Sequence, residues 1–263
     1  MQLEVLHQSA AADAKATPVL FVHGAWHGAW CWEETFMPYL AERGHNVYAL
    51  SLRGHAGSEG DCQWAGIDDY IADVRQVAES ISPHPVIVGH SMGGYITQMY
   101  MNRYEKEVPG AALVASIPTN GTLPFTTRLM LKYPADLLRA LRNMNMHEII
   151  STPQKARQHF FSPTMPQADV ERYHAKLQKE SMRIAILDGM FRPPVARRYD
   201  FPILVLAAVN DAIFTRQEQQ QTARVYGTEA VFFNMAHDMM LEEGWEAVAE
   251  QLAAWLRQTV DGL

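Results

Sequence analysis

The apolar run Val86-Ile87-Val88 leads directly into Gly89-His90-Ser91-Met92-Gly93, and Gly94-Tyr95-Ile96-Thr97-Gln98-Met99-Tyr100 follows with the make-up of a helix. A strand that turns into a helix through one serine between two glycines leaves the chain few options. The turn is sharp and strained, and a side chain at either glycine would collide with the adjoining strand or helix. Ser91 is therefore expected at the C-terminal end of its strand, with its hydroxyl in a crevice.

Around that turn, apolar strand-like runs alternate with helical patterns. Strands are expected at Val19–Val22, Asn46–Leu50, Val86–Val88, Ala111–Ser116, Ile203–Ala208 and Glu229–Phe233. Such alternation gives an α/β fold, a mainly parallel sheet with helices on both faces. A first strand, Leu3–Leu6, is expected to pair antiparallel at one edge. Between Asp68 and Ser80, the residues Tyr70, Ile71, Val74 and Val77 fall on one helix face, as do Trp245, Val248, Leu252 and Trp255 near the end. The strand spacing breaks between Pro118 and Tyr199, where some eighty residues stand in place of one crossover. Helical patterns at Leu129–Met144 and Ala168–Ile186, interrupted by prolines, point to a helical cap at 118–199 inserted into a core of 1–117 and 200–263. That cap supplies Phe125, Leu129, Met130, Phe160, Phe161, Met165, Met182 and Phe191. Most are expected to seal it onto the core, and others to line an apolar pocket. Trp26, Phe125, Leu129, Phe160, Phe161 and Met182 are the candidates for substrate contact.

A serine hydroxyl is a poor nucleophile until a base takes its proton. Eleven histidines are available. His90 adjoins Ser91 on a strained turn and belongs to the framework, while His147, His159 and His174 lie in polar helical sequence where solvent is expected. His237 follows the strand-like Ala230-Val231-Phe232-Phe233 and precedes the last helix, so it sits on a loop past a strand end. Asp211 ends Ile203-Leu204-Val205-Leu206-Ala207-Ala208-Val209-Asn210, the most apolar run of the chain, and also lies past a strand. It can orient the imidazole and stabilise its cation. Asp238 adjoins the base and is badly placed to reach its ring, and Asp200 precedes its strand at the wrong end of the sheet. The chain order Ser91, Asp211, His237 is that of hydrolases with a strand–nucleophile–helix turn.

Acyl transfer also needs two backbone N–H donors aimed at the developing oxyanion. Met92 follows the nucleophile and supplies one. Ala25, in the loop after Val19-Leu20-Phe21-Val22, supplies the other, the small Gly24 and Ala25 allowing close backbone approach. His23 and His27 are four apart, the spacing of metal ligands on a helix, but they fall on a loop with no acidic partner nearby in sequence. No metal is expected.

Taken together, His23-Gly24, Arg53-Gly54-His55-Ala56-Gly57-Ser58, Gly89-His90-Ser91-Met92-Gly93-Gly94, Asn210-Asp211 and His237 resemble the α/β-hydrolase superfamily over essentially the whole chain. His23-Gly24-Ala25-Trp26-His27-Gly28-Ala29-Trp30 resembles the oxyanion loop of the plant methylesterase and hydroxynitrile lyase group. The lyases of that group carry a lysine after the catalytic histidine and a hydroxyl residue after the first histidine of the loop. Asp238 and Gly24 stand there instead, so the resemblance implies ester hydrolysis. Serine at 91, rather than aspartate, disfavours a dehalogenase or epoxide hydrolase.

The remaining composition is permissive. Two cysteines, Cys31 and Cys62, give neither a disulfide framework nor ligand spacing. Residues 1–18 lack the apolar stretch of a signal peptide, and no run approaches the roughly 20 apolar residues of a membrane span. A cytoplasmic enzyme is the expectation. A net charge of −7 argues against a nucleic-acid partner, and with no P-loop or dinucleotide fingerprint no cofactor is implied. From Arg128 to Arg198, thirteen Lys and Arg face six Asp and Glu, a local +7 that leaves −14 on the rest. This is either a solvated helical surface or a means of drawing an anionic substrate or lipid surface to the site. The expected activity is a serine hydrolase cleaving a small carboxylic ester, anionic or with an apolar acyl chain, through an acyl-enzyme. Thioester, lactone or C–C bond hydrolysis and cofactor-free perhydrolysis could use the same three residues, and a ligand receptor on the same fold is the non-enzymatic alternative.

Overall fold

In the computed structural model, which describes residues 1–11, 16–195 and 197–262, one seven-stranded sheet organises the chain. Its strands are β1 (Val5–Gln8), β2 (Val19–Val22), β3 (Val47–Leu50), β4 (Val86–His90), β5 (Ala111–Val114), β6 (Ile203–Ala208) and β7 (Ala230–Phe233), in the order β1-β3-β2-β4-β5-β6-β7. β1 pairs antiparallel with β3, Val5 opposite Leu50, and every other pairing is parallel. The first strand thus lies at the edge, as its sequence suggests, two residues later than expected. β2, β4, β5 and β6 are buried at every position, which is why they read as unbroken apolar runs. The edge strands β1 and β7 are only partly buried.

The first half of the chain adds α1 (Trp30–Glu33), α2 (Phe36–Ala41), α3 (Ile67–Ala78) and α4 (Met92–Tyr104). On α3 the stripe Tyr70, Ile71, Val74 and Val77 is buried, as its spacing predicts. Residues 118–199 then leave the sheet to form α5 (Leu123–Lys132), α6 (Pro134–Arg142), α7 (Pro153–Phe160), α8 (Gln167–His174) and α9 (Gly189–Phe191) before the chain returns to β6. α10 (Arg216–Val225) and α11 (Trp245–Trp255) complete the order. α11 packs on α2 and α2 on α1, while α3 packs on α4.

Two helical expectations break where the chemistry demands it. The pattern at 129–144 divides at Tyr133, because Pro134 has no N–H to continue α5 and instead starts α6. The pattern at 168–186 stops at His174. Residues 177–181 run irregularly alongside the loop after β2, where Gln178 N–H donates to Trp26 O (3.0 Å).

The sheet order reverses at β2. From β2 the chain moves to β3 on one side, then returns to β4 on the other. Crevices at the carboxyl ends of strands flanking such a reversal are where open α/β sheets bind ligands. The loops after β2 and β4 meet there.

Candidate active site

Ser91 joins β4 to α4 with φ 51° and ψ −113°. That conformation costs a non-glycine residue on the order of 1–3 kcal/mol and survives only where its surroundings over-determine it. They do here: Ser91 N–H donates to Val114 O (3.0 Å), and Ser91 O accepts from Ile117 N–H (3.1 Å) and Tyr95 N–H (3.2 Å). A Cβ on Gly89 would lie 2.3 Å from Gly93 O, and one on Gly93 2.2 Å from Val22 O. Both glycines are fixed by close backbone approach.

Asp211 and His237 follow β6 and β7, at the same edge of the sheet as Ser91. His237 Nδ1–H donates to Asp211 Oδ2 (2.9 Å), both side chains being almost fully buried. The other oxygen of Asp211 accepts the Ile213 (2.7 Å) and Phe214 (3.0 Å) N–H groups, so the carboxylate cannot turn. Burial opposes a charge on His237, but the Asp211 carboxylate beside it, with its hydrogen bond, outweighs burial and holds the pKa above the ordinary histidine value. His237 Nε2 is buried and has no hydrogen-bond partner among the described residues. The Phe160 ring stacks near-parallel to His237 at 6.2 Å and Phe214 meets it edge-on at 5.6 Å.

Neighbouring histidines are framework groups of different kinds. His90 Nε2–H donates to His237 O (3.1 Å), and burial with the adjacent His237 pushes its pKa down to about 3, so it stays neutral. His159, expected in solvent, is instead buried beside Tyr133 and Phe160. Its pKa falls to about 4, chiefly through burial.

The loop after β2 is held from within and from afar. Leu52 N–H donates to His23 Nε2 (3.0 Å), leaving His23 Nδ1–H to donate to Gly24 O (2.8 Å). His27 Nδ1 lies 2.7 Å from Ala25 O, and its Nε2 lies 3.0 Å from Asp238 Oδ2. The acidic partner that sequence proximity does not show is therefore Asp238, 211 residues away. Asp238 lies on His27 and makes no hydrogen bond to the His237 ring. Burial opposes its charge, yet His27 keeps its carboxyl below the ordinary range.

Ser91, Met92, Ala25 and Trp26 open onto a cavity of about 280 Å³. Phe125 and Leu129 line it as expected, with Met130 at its wall. Phe160, Phe161 and Met182 do not: all three are buried in packing, Phe160 against His237 and His27, Phe161 against Tyr173. Leu137 and Leu141 of α6, one turn apart, also face the cavity, a pairing their i, i+4 spacing could have revealed. Glu180 is the unforeseen member and the sole charged side chain among the described lining residues. It sits in irregular chain where the pattern at 168–186 suggests helix, so the sequence does not turn it towards the site.

Among the described residues, His90, His237 and Asp238 form the one group of His, Cys, Asp and Glu close enough to share an ion. Each already spends a polar atom on the protein: His237 Nδ1 on Asp211, His90 Nε2 on a carbonyl, Asp238 Oδ2 on His27. An ion there would occupy His237 Nε2, the nitrogen left for proton transfer. The geometry fits acid–base chemistry better than metal binding.

Comparison with known proteins agrees with the fold. Norfluorocurarine synthase 1 of Strychnos nux-vomica is 32% identical over 108 residues, 40% of each chain. Methyl jasmonate esterase 1 of Vitis vinifera is 33% identical over 101 residues, 37% of this chain and 38% of the relative. The matched stretch spans about 40% of the length of these curated relatives. In fold alone, the enol-lactonase of Burkholderia xenovorans LB400 superposes with a TM-score of 0.77 at 14% identity, covering 97% of both chains. No helix among the described residues is long and apolar enough to cross a membrane. The profile of the alpha/beta hydrolase family matches residues 19–251, which spans β2 to α11 and takes in Ser91, Asp211 and His237. The chain belongs to the alpha/beta hydrolase family.

Proposed function

We propose that this protein is a serine hydrolase that cleaves a neutral carboxylic ester with an apolar acyl or alkyl group. The observation that carries the reading is the 2.9 Å bond from His237 Nδ1 to Asp211, with Nε2 unpartnered among the described residues, together with a strained serine past the neighbouring strand ends on the lip of an apolar cavity. His237 takes the proton of Ser91 as the hydroxyl attacks the acyl carbon, while Asp211 fixes the tautomer and stabilises the imidazolium. The N–H groups of Ala25 and Met92 receive the oxyanion. His237 then protonates the departing alcohol and activates the water that releases the acid.

Residues 118–199 act as a cap over a core of 1–117 and 200–263, since that segment as a whole supplies most of the described cavity wall. No Lys or Arg is among the described lining residues, and the only charge there is the Glu180 carboxylate. An anionic substrate would leave water for an apolar cavity whose described lining offers no Lys or Arg to pair with it, so a neutral substrate is favoured over an anionic one.

A series of para-nitrophenyl esters of increasing acyl length tests this, with Ser91→Ala as control. Turnover should rise with acyl length until the cavity is filled, and the folded Ser91→Ala protein should lose roughly 10³–10⁶-fold. Near-normal turnover in that variant would falsify the assignment.

A further inference from the structure

Residues 118–199 bond to the oxyanion loop through the Glu180 carboxylate and through Gln178. Trp26 N–H donates to Glu180 Oε2 (3.0 Å), and the carbonyl of the same peptide group, Ala25 O, lies 2.7 Å from His27 Nδ1. The peptide before it is also held, Gly24 O accepting from His23 Nδ1–H. Two successive peptide planes are thereby fixed; the Ala25 N–H lies in the first, and the hold on the second limits the rotation about Ala25 that would turn it. Trp26 has φ 67°, a left-handed conformation that an L side chain adopts only when held there. His23 and His27 belong to the loop itself. Glu180 holds the Trp26 N–H from outside the loop.

Glu180 is itself fully engaged. Its Oε2 also accepts from His55 Nε2 (3.2 Å), and its Oε1 accepts from Tyr70 Oη–H (3.1 Å) and Ser181 N–H (2.6 Å). His55 Nδ1 faces Arg53 O (3.0 Å), so both its ring nitrogens point at acceptors and its cation is stabilised. Burial opposes the charge on each member of the pair, but each sustains the other: His55 is raised and Glu180 lowered. A charged acceptor makes a stronger bond to Trp26 N–H than a neutral one. Beside it, Gln178 N–H donates to Trp26 O and Gln178 Nε2–H to His27 O (3.2 Å), so residues 178–180 run bonded along the loop.

We propose that Glu180 is a positioning residue for the oxyanion hole, clamping the Ala25–Trp26 peptide against His27 so that the cap completes the site. The proposal rests on the hydrolytic reading above. It makes the cap a contributor to chemistry as well as to substrate fit, because an Ala25 N–H that drifts loses contact with the oxyanion and leaves substrate binding largely intact.

Three variants on a neutral ester test it. Glu180→Ala should lower kcat about 100-fold, the scale of a misplacement near 1 Å, with KM changed by less than about threefold. Affinity for a trifluoromethyl ketone, bound as a tetrahedral adduct of Ser91, should fall by a similar factor. Glu180→Gln keeps an oxygen that accepts from Trp26 N–H but loses the charge, and should lower kcat only about three- to tenfold. Tyr70→Phe removes a bond from the same carboxylate on the side away from the loop and should leave kcat unchanged.

A Glu180→Ala protein with kcat within about threefold of the parent overturns the proposal. If that variant does not fold, the other two decide: loss of kcat in Glu180→Gln alone supports the clamp, and equal losses or none overturn it. Turnover that survives Ser91→Ala would instead defeat the hydrolytic reading, whereas a silent Ser91→Ala with unaffected Glu180 variants defeats only the clamp.

Discussion

Asp211 and Asp238 are both buried against imidazoles, and geometry alone separates their parts. Asp211 holds Nδ1 of His237, while Asp238 holds Nε2 of His27 and lies 3.7 Å from His90 Nε2. Asp211→Asn should therefore lower kcat on the order of 10⁴-fold with the fold intact. Asp238→Asn should act mainly on stability, costing about 3 kcal/mol or more as a broken buried pair, with the smaller loss in kcat. Kinetics and urea unfolding of the two purified variants check the ranking, and the reverse order would transfer the orienting role to Asp238. His237 sets the pH response. It must be neutral to accept a proton, and Asp211 holds its pKa above the ordinary value of about 6.5, so kcat/KM should fall on acidification through a pKa higher than that. In Asp211→Asn burial acts unopposed by that carboxylate, and the acid limb should move to lower pH. A flat profile down to about pH 4.5 in folded enzyme would exclude a histidine base.

At the level of elements, what could be read from the sequence and what could not divide along the range of the interactions. The turn at Ser91 was legible because Gly89 and Gly93 are dictated by backbone atoms a few ångströms away. The central strands were legible because burial on both faces leaves only apolar residues. The hold on the loop after β2 was not, since His27–Asp238 joins residues 211 apart and Glu180 lies where the helical pattern at 168–186 gives way to irregular chain. Part of the cavity wall escaped for a similar reason: Trp26, Phe125 and Leu129 line it, whereas Phe160, Phe161 and Met182 have the composition of pocket residues and only three-dimensional packing turns them inward. The His55–Glu180 pair has a measurable consequence for stability. The raised His55 contributes stability that is fully present below its unfolded pKa near 6.5 and lost as pH rises through the folded value. The lowered Glu180 contributes above its unfolded value of about 4.3, and this is lost as pH falls through the folded one. The pair is strongest between those limits. Glu180→Gln should therefore show a smaller decline in urea midpoint from about pH 6 to 9 than the parent. Equal slopes would mean that His55 is not charged in the folded protein.

For the molecule as a whole, the structure gives the charge asymmetry a local use. Five of the thirteen cations between Arg128 and Arg198 pair with acids outside that segment: Arg128 with Glu218, Arg172 and Lys176 with Glu34, Arg192 with Asp68, and Arg197 with Glu105. Each such exposed pair contributes about 0–1 kcal/mol, but together they match the basic segment to its acidic surroundings. With no Lys or Arg among the described lining residues and these cations drawn to acids elsewhere, anions gain little attraction at the cavity itself. Anionic and neutral esters of similar size should lose kcat/KM alike between about 0.01 and 0.5 M salt, the screening length being near 8 Å at 0.15 M. A loss confined to the anionic ester would revive steering. The central claim, that Ser91 is the nucleophile activated by His237 and Asp211, is tested most directly by covalent labelling. A fluorophosphonate with a short alkyl chain, followed by peptide mass spectrometry, should place the adduct on Ser91 as activity disappears in parallel. The label should slow sharply in Asp211→Asn and vanish in Ser91→Ala. Inactivation with the adduct on another residue, or labelling of Ser91 that leaves ester turnover untouched, would contradict the account.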